Sequence, residues 1–113
     1  MKALRQMINS GVVPVFGTIV RIHFFDSASR DDTAMGRSDS KLGIIHLNRD
    51  MPADLQEAVL LHEIGHVVAD ALGMKWGEAD NAALMTGIYA VLSDSERTIK
   101  MTVITPEMAE RMR

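Results

Sequence analysis

Apolar and polar positions change their spacing along the chain in a way that predicts both strands and helices. Residues 17–25 and 43–48 are rich in β-branched and aromatic side chains, and they predict two strands. Residues 26–42 between them are mostly Ser, Asp, Arg and Gly, which predicts a long loop. A short helix over residues 2–9, ended by Gly11, is predicted before the first strand.

The longest apolar segment predicts a helix from about Pro52 to Leu72. Proline suits the first helical position, Asp54 and Glu57 have the spacing of a capping box, and Gly73 suits the position after the last turn. Apolar residues cover most of the circumference of this helix, so we expect it to be buried at the centre of the domain. Polar side chains in its middle must therefore find partners in the interior.

The remaining chain predicts one more long helix and two short elements. Residues 78–92 predict a helix that returns antiparallel to the first, and residues 93–96 predict a break. Residues 98–103 alternate polar and apolar, which favours a strand, although a helix also accommodates this pattern. A Thr-Pro-Glu start predicts a short helix from residue 105 onward. We therefore predict a single α+β domain over residues 1–113, in which a small twisted sheet packs on the central helix and the second helix packs behind it.

Composition narrows the functional classes. The chain has 113 residues, which suits one domain with a single core. A net charge of −3 and a pI near 5.7 give no basic face for nucleic acid or for an anionic membrane. No apolar run approaches the length of a membrane span, so we expect a cytoplasmic protein. The absence of cysteine excludes disulfides and thiolate ligands, so any metal must be held by histidine and carboxylate.

Three polar residues in the middle of the central helix follow the pattern H-E-x-x-H: His62, Glu63 and His66. Residues four apart lie on one face of a helix, so both imidazoles can bind one metal ion. Zinc in catalytic sites takes three protein ligands and a water, whose pKa it lowers to about 7. Glu63 can take the proton of that water as general base. Gly65 leaves room for another segment to approach this helix closely.

The residues do not by themselves decide the third ligand. Glu78 and Asp80, at the start of the second helix, are both candidates. The first helix rises about 9 Å between His66 and its end, so the return must be tight for either carboxylate to reach the metal. Asp70 shares the histidine face, but it lies about 12 Å from His62 along the axis and is predicted only to orient an imidazole.

A hydrogen-bond donor beside the metal would stabilise the oxyanion that forms during peptide hydrolysis. Tyr89, which is the only tyrosine, and the strand residues His46 and His23 are candidates. Each also has a simpler interpretation, with Tyr89 as a core aromatic and the histidines as solvent-facing strand residues. The sequence does not decide between the oxyanion role and these simpler interpretations.

One stretch resembles the core of a zincin-type metallopeptidase: the strand at residues 43–48 and the helical segment Leu-His-Glu-Ile-Gly-His-Val at residues 61–67. It resembles in particular the compact ImmA/IrrE-like group that is common in phage and mobile elements. In that group the motif helix is followed by a helix that opens with Glu-Ala, as Glu78-Ala79 does here. The resemblance covers about residues 41–92. It implies zinc-dependent hydrolysis of a peptide or protein substrate, with Glu78 as third ligand and, in some members, a single dedicated partner such as a repressor.

The predicted function is therefore a zinc metallopeptidase in which Glu63 activates water on a zinc ion held by His62, His66 and Glu78. One alternative is a non-catalytic zinc-binding regulatory or interaction domain, closed by a fourth ligand, either His46 or Asp80. A second alternative is a metal-free interaction module, in which the histidines only satisfy polar positions of the core.

The same elements predict where a substrate would bind. We expect a cleft between the edge of the sheet and the central helix, with residues 43–47 as an edge strand to which an extended peptide adds. The loop at residues 26–42 would cover its opening. So small a domain offers few walls for subsites, which favours one dedicated partner or a homodimer.

Overall fold

Three helices and four strands make up the described part of the chain, which covers residues 1–26 and 35–101 of this computed structural model, without the side chains of residues 97–101. Their order is α1 (Lys2–Ser10), β1 (Val12–Val15), β2 (Thr18–Phe25), β3 (Gly36–Asp39), β4 (Ile44–Asn48), α2 (Ala53–Ala71) and α3 (Glu78–Met101). The predicted α+β class is confirmed. Within the described ranges, no helix combines the length and the apolar character needed to cross a bilayer.

The strands form one mixed sheet in the order β1-β2-β4-β3. β2 and β4 are parallel, with His23 paired to His46, whereas β1 pairs antiparallel with β2 and β3 pairs antiparallel with β4. β4 is therefore an inner strand, and the prediction that residues 43–47 form the edge of the sheet is wrong. The edge beyond β4 is β3, whose Arg37 pairs with His46.

Two strands differ from the prediction. β3 lies inside the predicted loop at residues 26–42, of which residues 27–34 are outside the described part. It lacks apolar alternation because an edge strand can pair through its backbone while its side chains stay polar. β1 forms a hairpin with β2 across Phe16 and Gly17, whose φ angles of 49° and 77° suit a two-residue turn.

The core lies on one face of the sheet, against α1 and α2. Its buried side chains come from alternate strand positions and from the inner faces of these helices: Leu4, Ile8, Val13, Val15, Val20, Ile22, Ile45, Leu47, Leu60 and Val67. The intervening residues of β2 and β4 face the other side of the sheet, as the two-residue period of a strand requires.

α1 ends before Gly11, as the sequence predicts, and an ion pair links it to α2. Gly11 closes the helix in the left-handed conformation, at φ 72°. The buried carboxylate of Glu57 accepts a hydrogen bond from Arg5 Nη2 at 3.1 Å and pairs with the amino group of Met1. Glu57 therefore stabilises the contact between α2 and α1. The predicted capping box with Asp54 is wrong, because α2 has no side-chain cap.

α2 keeps close to its predicted bounds, although Pro52 stands at the N-cap position rather than in the first turn. It is the central helix of the domain, since the sheet, α1 and α3 all pack on it. Burial is less complete than predicted, because Leu55 near its start is 39% exposed. The interior part of the helix carries Glu63 and Gly65, both of which are buried.

α3 is one continuous helix of 24 residues. The predicted break at residues 93–96 does not occur, and residues 98–101 are helical rather than strand. The rest of the predicted strand and the predicted C-terminal helix lie outside the described residues. No glycine or proline interrupts residues 88–101, so the helix propagates through this polar segment. Glu96 accepts a hydrogen bond from the N–H of Lys2 at 3.0 Å, so α3 reaches the first turn of α1.

Candidate metal centre

Two residues of α2 and the first residue of α3 bring their polar atoms together. Nε2 of His62 lies 2.5 Å from Oε1 of Glu78, and Nε2 of His66 lies 2.8 Å from Oε2 of the same carboxylate. The two imidazoles are one turn apart on α2, with ring centroids separated by 4.9 Å. Ligand atoms from all three residues lie within 4.8 Å of one another. Among the residues that the structure describes, they form the one group of this kind that could hold a metal ion.

The link between the two helices explains how Glu78 reaches the histidines. Gly73 follows the last turn of α2 in the left-handed conformation, at φ 68°, and allows the chain to turn back. A residue of extended chain spans about 3.3 Å, whereas a helical residue rises only about 1.5 Å. The few residues up to Gly77 can therefore run back along the last turns of α2. α3 thus begins beside the middle of α2, which is the tight return that the sequence requires.

The donor set suits zinc. Two imidazole nitrogens and a carboxylate are the protein ligands of several catalytic zinc sites, with bonds of about 2.0–2.2 Å. The three donors lie close enough together for one ion to bind all of them after small side-chain rotations. The side chains of His62 and His66 are largely buried, whereas that of Glu78 is 70% exposed, so the group is open to solvent on one side.

Glu63 borders the same region, and its side chain is buried. Burial raises the pKa of its carboxyl above the ordinary value, and the nearby charge of Glu78 adds to the rise. The imidazoles of His66 and His62 and a hydrogen bond from Ser38 act in the opposite direction. A carboxyl with a raised pKa accepts a proton more readily near neutral pH, which is the property that a general base needs.

A largely apolar cleft of about 370 Å³ adjoins two of the three donors, His62 and Glu78. It is lined by residues near the start of β3 and by residues of α2 and α3: Met35, Gly36, Ala58, Val59, His62, Glu63, Glu78, Met85, Thr86 and Tyr89. The cleft therefore lies between the sheet edge and the central helix, as predicted, but the edge is β3. A Cβ built on Gly36 would lie 2.7 Å from Cγ1 of Val59, which shows how closely β3 approaches α2.

The other acidic candidates lie outside the group of three donors. Asp80 is exposed, and no oxygen of its carboxylate belongs to the group. Asp70 accepts a hydrogen bond from Oγ of Ser40 at 2.6 Å, so its carboxylate is engaged by the turn that follows β3. Of the two candidates for third ligand, the structure brings Glu78 and not Asp80 to the histidines.

The two strand histidines lie away from the donors. The Nδ1 atoms of His23 and His46 are 3.2 Å apart on neighbouring strands. His46 alternates with Ile45 and Leu47, which are fully buried in the core, so both histidines face the opposite side of the sheet. In that position neither can stabilise an oxyanion at the metal or serve as fourth ligand. Tyr89 lines the cleft and packs against the core, so it keeps both of its predicted interpretations.

Two further residues contact the site. Ser38 hydrogen-bonds to the carboxyl of Glu63 from β3, a strand that the hydrophobic pattern does not predict. Asn81 is fully buried, and its Nδ2 donates to the main-chain oxygen of His62 at 3.0 Å. One signal for Asn81 is present in the sequence, because it lies one turn after Glu78 on the same face of the predicted second helix.

Comparison with known protein families gives a match that covers most of these elements. The model of the M78 peptidase family, described as the IrrE N-terminal-like domain, matches residues 18–85. No curated protein and no solved structure gives a significant match. The matched segment runs from β2 into α3 and includes all three donors and Glu63. Because it spans more than half of the chain, the protein belongs to the IrrE N-terminal-like domain family of M78 peptidases.

Proposed function

We propose that this protein is a zinc-dependent metallopeptidase that hydrolyses a peptide bond. The observation that carries the proposal is the convergence of His62, His66 and Glu78 from two helices, with the buried Glu63 beside them. Membership of a peptidase family supports the same class of reaction. The adjoining cleft also favours catalysis, because a purely structural zinc site is closed by protein ligands.

Each residue of the site has a distinct part in this proposal. His62, His66 and Glu78 would hold the metal ion. Bound zinc supplies Lewis acidity, which lowers the pKa of water and polarises a carbonyl group. The carboxylate of Glu63 takes a proton from the attacking water and delivers it to the nitrogen of the leaving amine. Ser38 holds that carboxylate in place through its hydrogen bond.

The surroundings of the site support an extended peptide as substrate. Among the described residues, β3 is the last strand of the sheet on the side of the cleft, so a peptide can add to it as a further strand. β3 therefore takes the role of substrate-binding edge strand, which the sequence predicts for residues 43–47. Tyr89, on the wall of the cleft, is the remaining candidate donor to the oxyanion. A domain of 113 residues has few walls for subsites, so we propose one dedicated protein substrate.

The test compares the unaltered protein with Glu63→Gln, both purified without added metal. We expect about one zinc ion per chain in both, because Glu63 is not among the donors. Cleavage of a library of extended peptides should fall about 10²- to 10⁴-fold in the variant, which is the usual contribution of a general base. Asp80→Asn is the matched control, since this exposed acid lies beside the donors but outside them, and it should keep both zinc and activity.

Two results would contradict the proposal in different ways. Stoichiometric zinc with cleavage that is unchanged in Glu63→Gln, or with no cleavage by the unaltered protein, would favour a non-catalytic zinc-binding domain. Absence of zinc, with no shift of the melting temperature when zinc is added, would favour a metal-free interaction module.

A further inference from the structure

We propose that Asn81 is a positioning residue that sets the distance between Glu78 and the two histidines. The inference builds on the proposed metal site and adds to it a residue outside the set of donors. It concerns the contact between α2 and α3, the two helices that supply those donors.

Asn81 is a polar side chain in the interior of the domain. It is 0% exposed, and a buried amide is stable only where its polar atoms find partners. Nδ2 donates to the main-chain oxygen of His62 at 3.0 Å, whereas Oδ1 has no hydrogen-bond partner in the part of the chain that the structure describes. An apolar side chain would avoid this unpaired oxygen. The hydrogen bond to His62 is therefore the polar contact that holds this buried amide in place, and it joins α3 to the residue that carries a donor of the site.

The hydrogen bond joins the two helices at the first of the proposed zinc ligands. The carbonyl oxygen of His62 lies within the ladder of α2, where the N–H of His66 is its helical partner, and its second lone pair is free for Asn81. Turning the amide by 180° would bring Oδ1 against another oxygen, so one orientation alone fits. Asn81 thus fixes a point on α3 relative to the main chain of His62.

Gly65 makes this close contact possible. A Cβ built on Gly65 would lie 2.5 Å from Oδ1 of Asn81 and 2.7 Å from Cγ of Met85. Both distances are far shorter than a van der Waals contact, so α3 crosses α2 with these two side chains directly on the backbone of the glycine. The close approach that the sequence predicts at Gly65 is confirmed.

Glu78 depends on this anchor because its own side chain is weakly held. It is 70% exposed, and the contacts that the structure gives it are those with His62 and His66. It also occupies the first residue of a helix, where the backbone lacks part of its helical hydrogen bonds. Asn81 lies one turn further along the same face, so its bond to α2 restrains the turn that carries the carboxylate.

The experiment measures zinc affinity and metal geometry in Asn81→Leu, which keeps a branched side chain but cannot donate a hydrogen bond. We expect the dissociation constant for zinc to rise about 10- to 100-fold, as is typical when a residue that orients metal ligands is lost. The melting temperature of the zinc-free protein should stay close to that of the unaltered protein. The visible absorption of the cobalt-substituted protein, which reports coordination geometry, should change. Asn81→Ala provides a second, smaller replacement if leucine prevents folding.

Asn48→Ala is the matched control. Asn48 is also a buried asparagine, 7% exposed, and its Oδ1 accepts a hydrogen bond from the N–H of Asp50 at 2.8 Å, at the end of β4. This variant should lower the melting temperature without changing the zinc affinity or the cobalt spectrum. Unchanged affinity and spectrum in the Asn81 variants would overturn the role of Asn81 and leave the metal site standing. Failure of the unaltered protein to bind zinc would overturn both.

Discussion

Nε2 of His62 and Oε1 of Glu78 lie 2.5 Å apart, although His62 is in the third turn of α2 and Glu78 begins α3. The contact is set by where α3 starts along α2, and not by any spacing within one helix. Asp80 follows two positions later, which turns its side chain about 200° around the helix axis. Of these two acids, only Glu78 can face the histidines.

Removal of the carboxylate at residue 78 should weaken zinc binding far more than removal of the one at residue 80. For Glu78→Ala we expect the dissociation constant for zinc to rise on the order of 100-fold or more, beyond the effect of losing a residue that only orients a ligand. Asp80→Ala should stay within about twofold, because its carboxylate lies outside the donors. Competition with a chromophoric chelator measures both constants. A larger loss for Asp80→Ala would reverse the assignment.

Two glycines of the long helices should respond in opposite ways to alanine. Gly65→Ala places a Cβ 2.5 Å from Oδ1 of Asn81, so we expect a loss of about 1–3 kcal/mol in the free energy of unfolding. Gly87→Ala is the control, because a Cβ there meets no atom within 4 Å and alanine favours a helix by about 0.5–1 kcal/mol. Urea unfolding measures both. Equal effects at the two positions would contradict the close crossing of α2 and α3.

The sequence predicts those features of the site that follow from the periodicity of a single helix or strand. It misses those that depend on how two elements pack against each other. The spacing of His62 and His66 on one helix face follows from helical geometry alone. Glu78 required knowledge of the path between the helices, which the sequence narrows to two acids but does not decide. β3 could not be recognised, since its four polar or small residues pair through the backbone. The position of Asn81 one turn after Glu78 is visible in the sequence, but its burial is not, because that depends on how the two helices cross.

The raised pKa of Glu63 predicts a pH dependence for the zinc-free protein. Burial raises the folded-state pKa above the unfolded value, so the carboxyl is preferentially protonated in the folded protein. Stability from this group is therefore present below the unfolded pKa and is lost as the pH rises through the folded pKa. Glutamine does not titrate, so the melting temperature of Glu63→Gln relative to the unaltered protein should increase between pH 5 and pH 8, scanned with a chelator present.

Added zinc supplies the control for this comparison. A nearby cation favours the carboxylate form, so the advantage of Glu63→Gln at pH 8 should shrink or disappear when zinc is bound. A constant difference between the two proteins across the pH range, with chelator present, would show that the carboxyl has the same pKa in the folded and unfolded states.

Two arginines that form ion pairs should differ in their contribution to stability. Arg5 pairs at 3.1 Å with Glu57, whose side chain is 6% exposed, so Arg5→Met leaves a buried carboxylate with fewer partners. We expect a loss of about 1–3 kcal/mol in the free energy of unfolding. Arg49 pairs at 3.2 Å with Asp26, and both side chains are more than half exposed. Arg49→Met should therefore change stability by less than about 0.5 kcal/mol in the same urea titration.

The uninterrupted course of α3 has a consequence for motion. Glu78, which contacts the histidines, and Glu96, which binds the first turn of α1, lie on the same helix about 27 Å apart. Because no break divides the helix between them, its two ends move together when the helix moves as a rigid body. A rotation of α3 that carries the carboxylate away from the imidazoles must also move Glu96 relative to α1. The geometry of the metal centre and the docking of the N-terminal helix are therefore mechanically coupled.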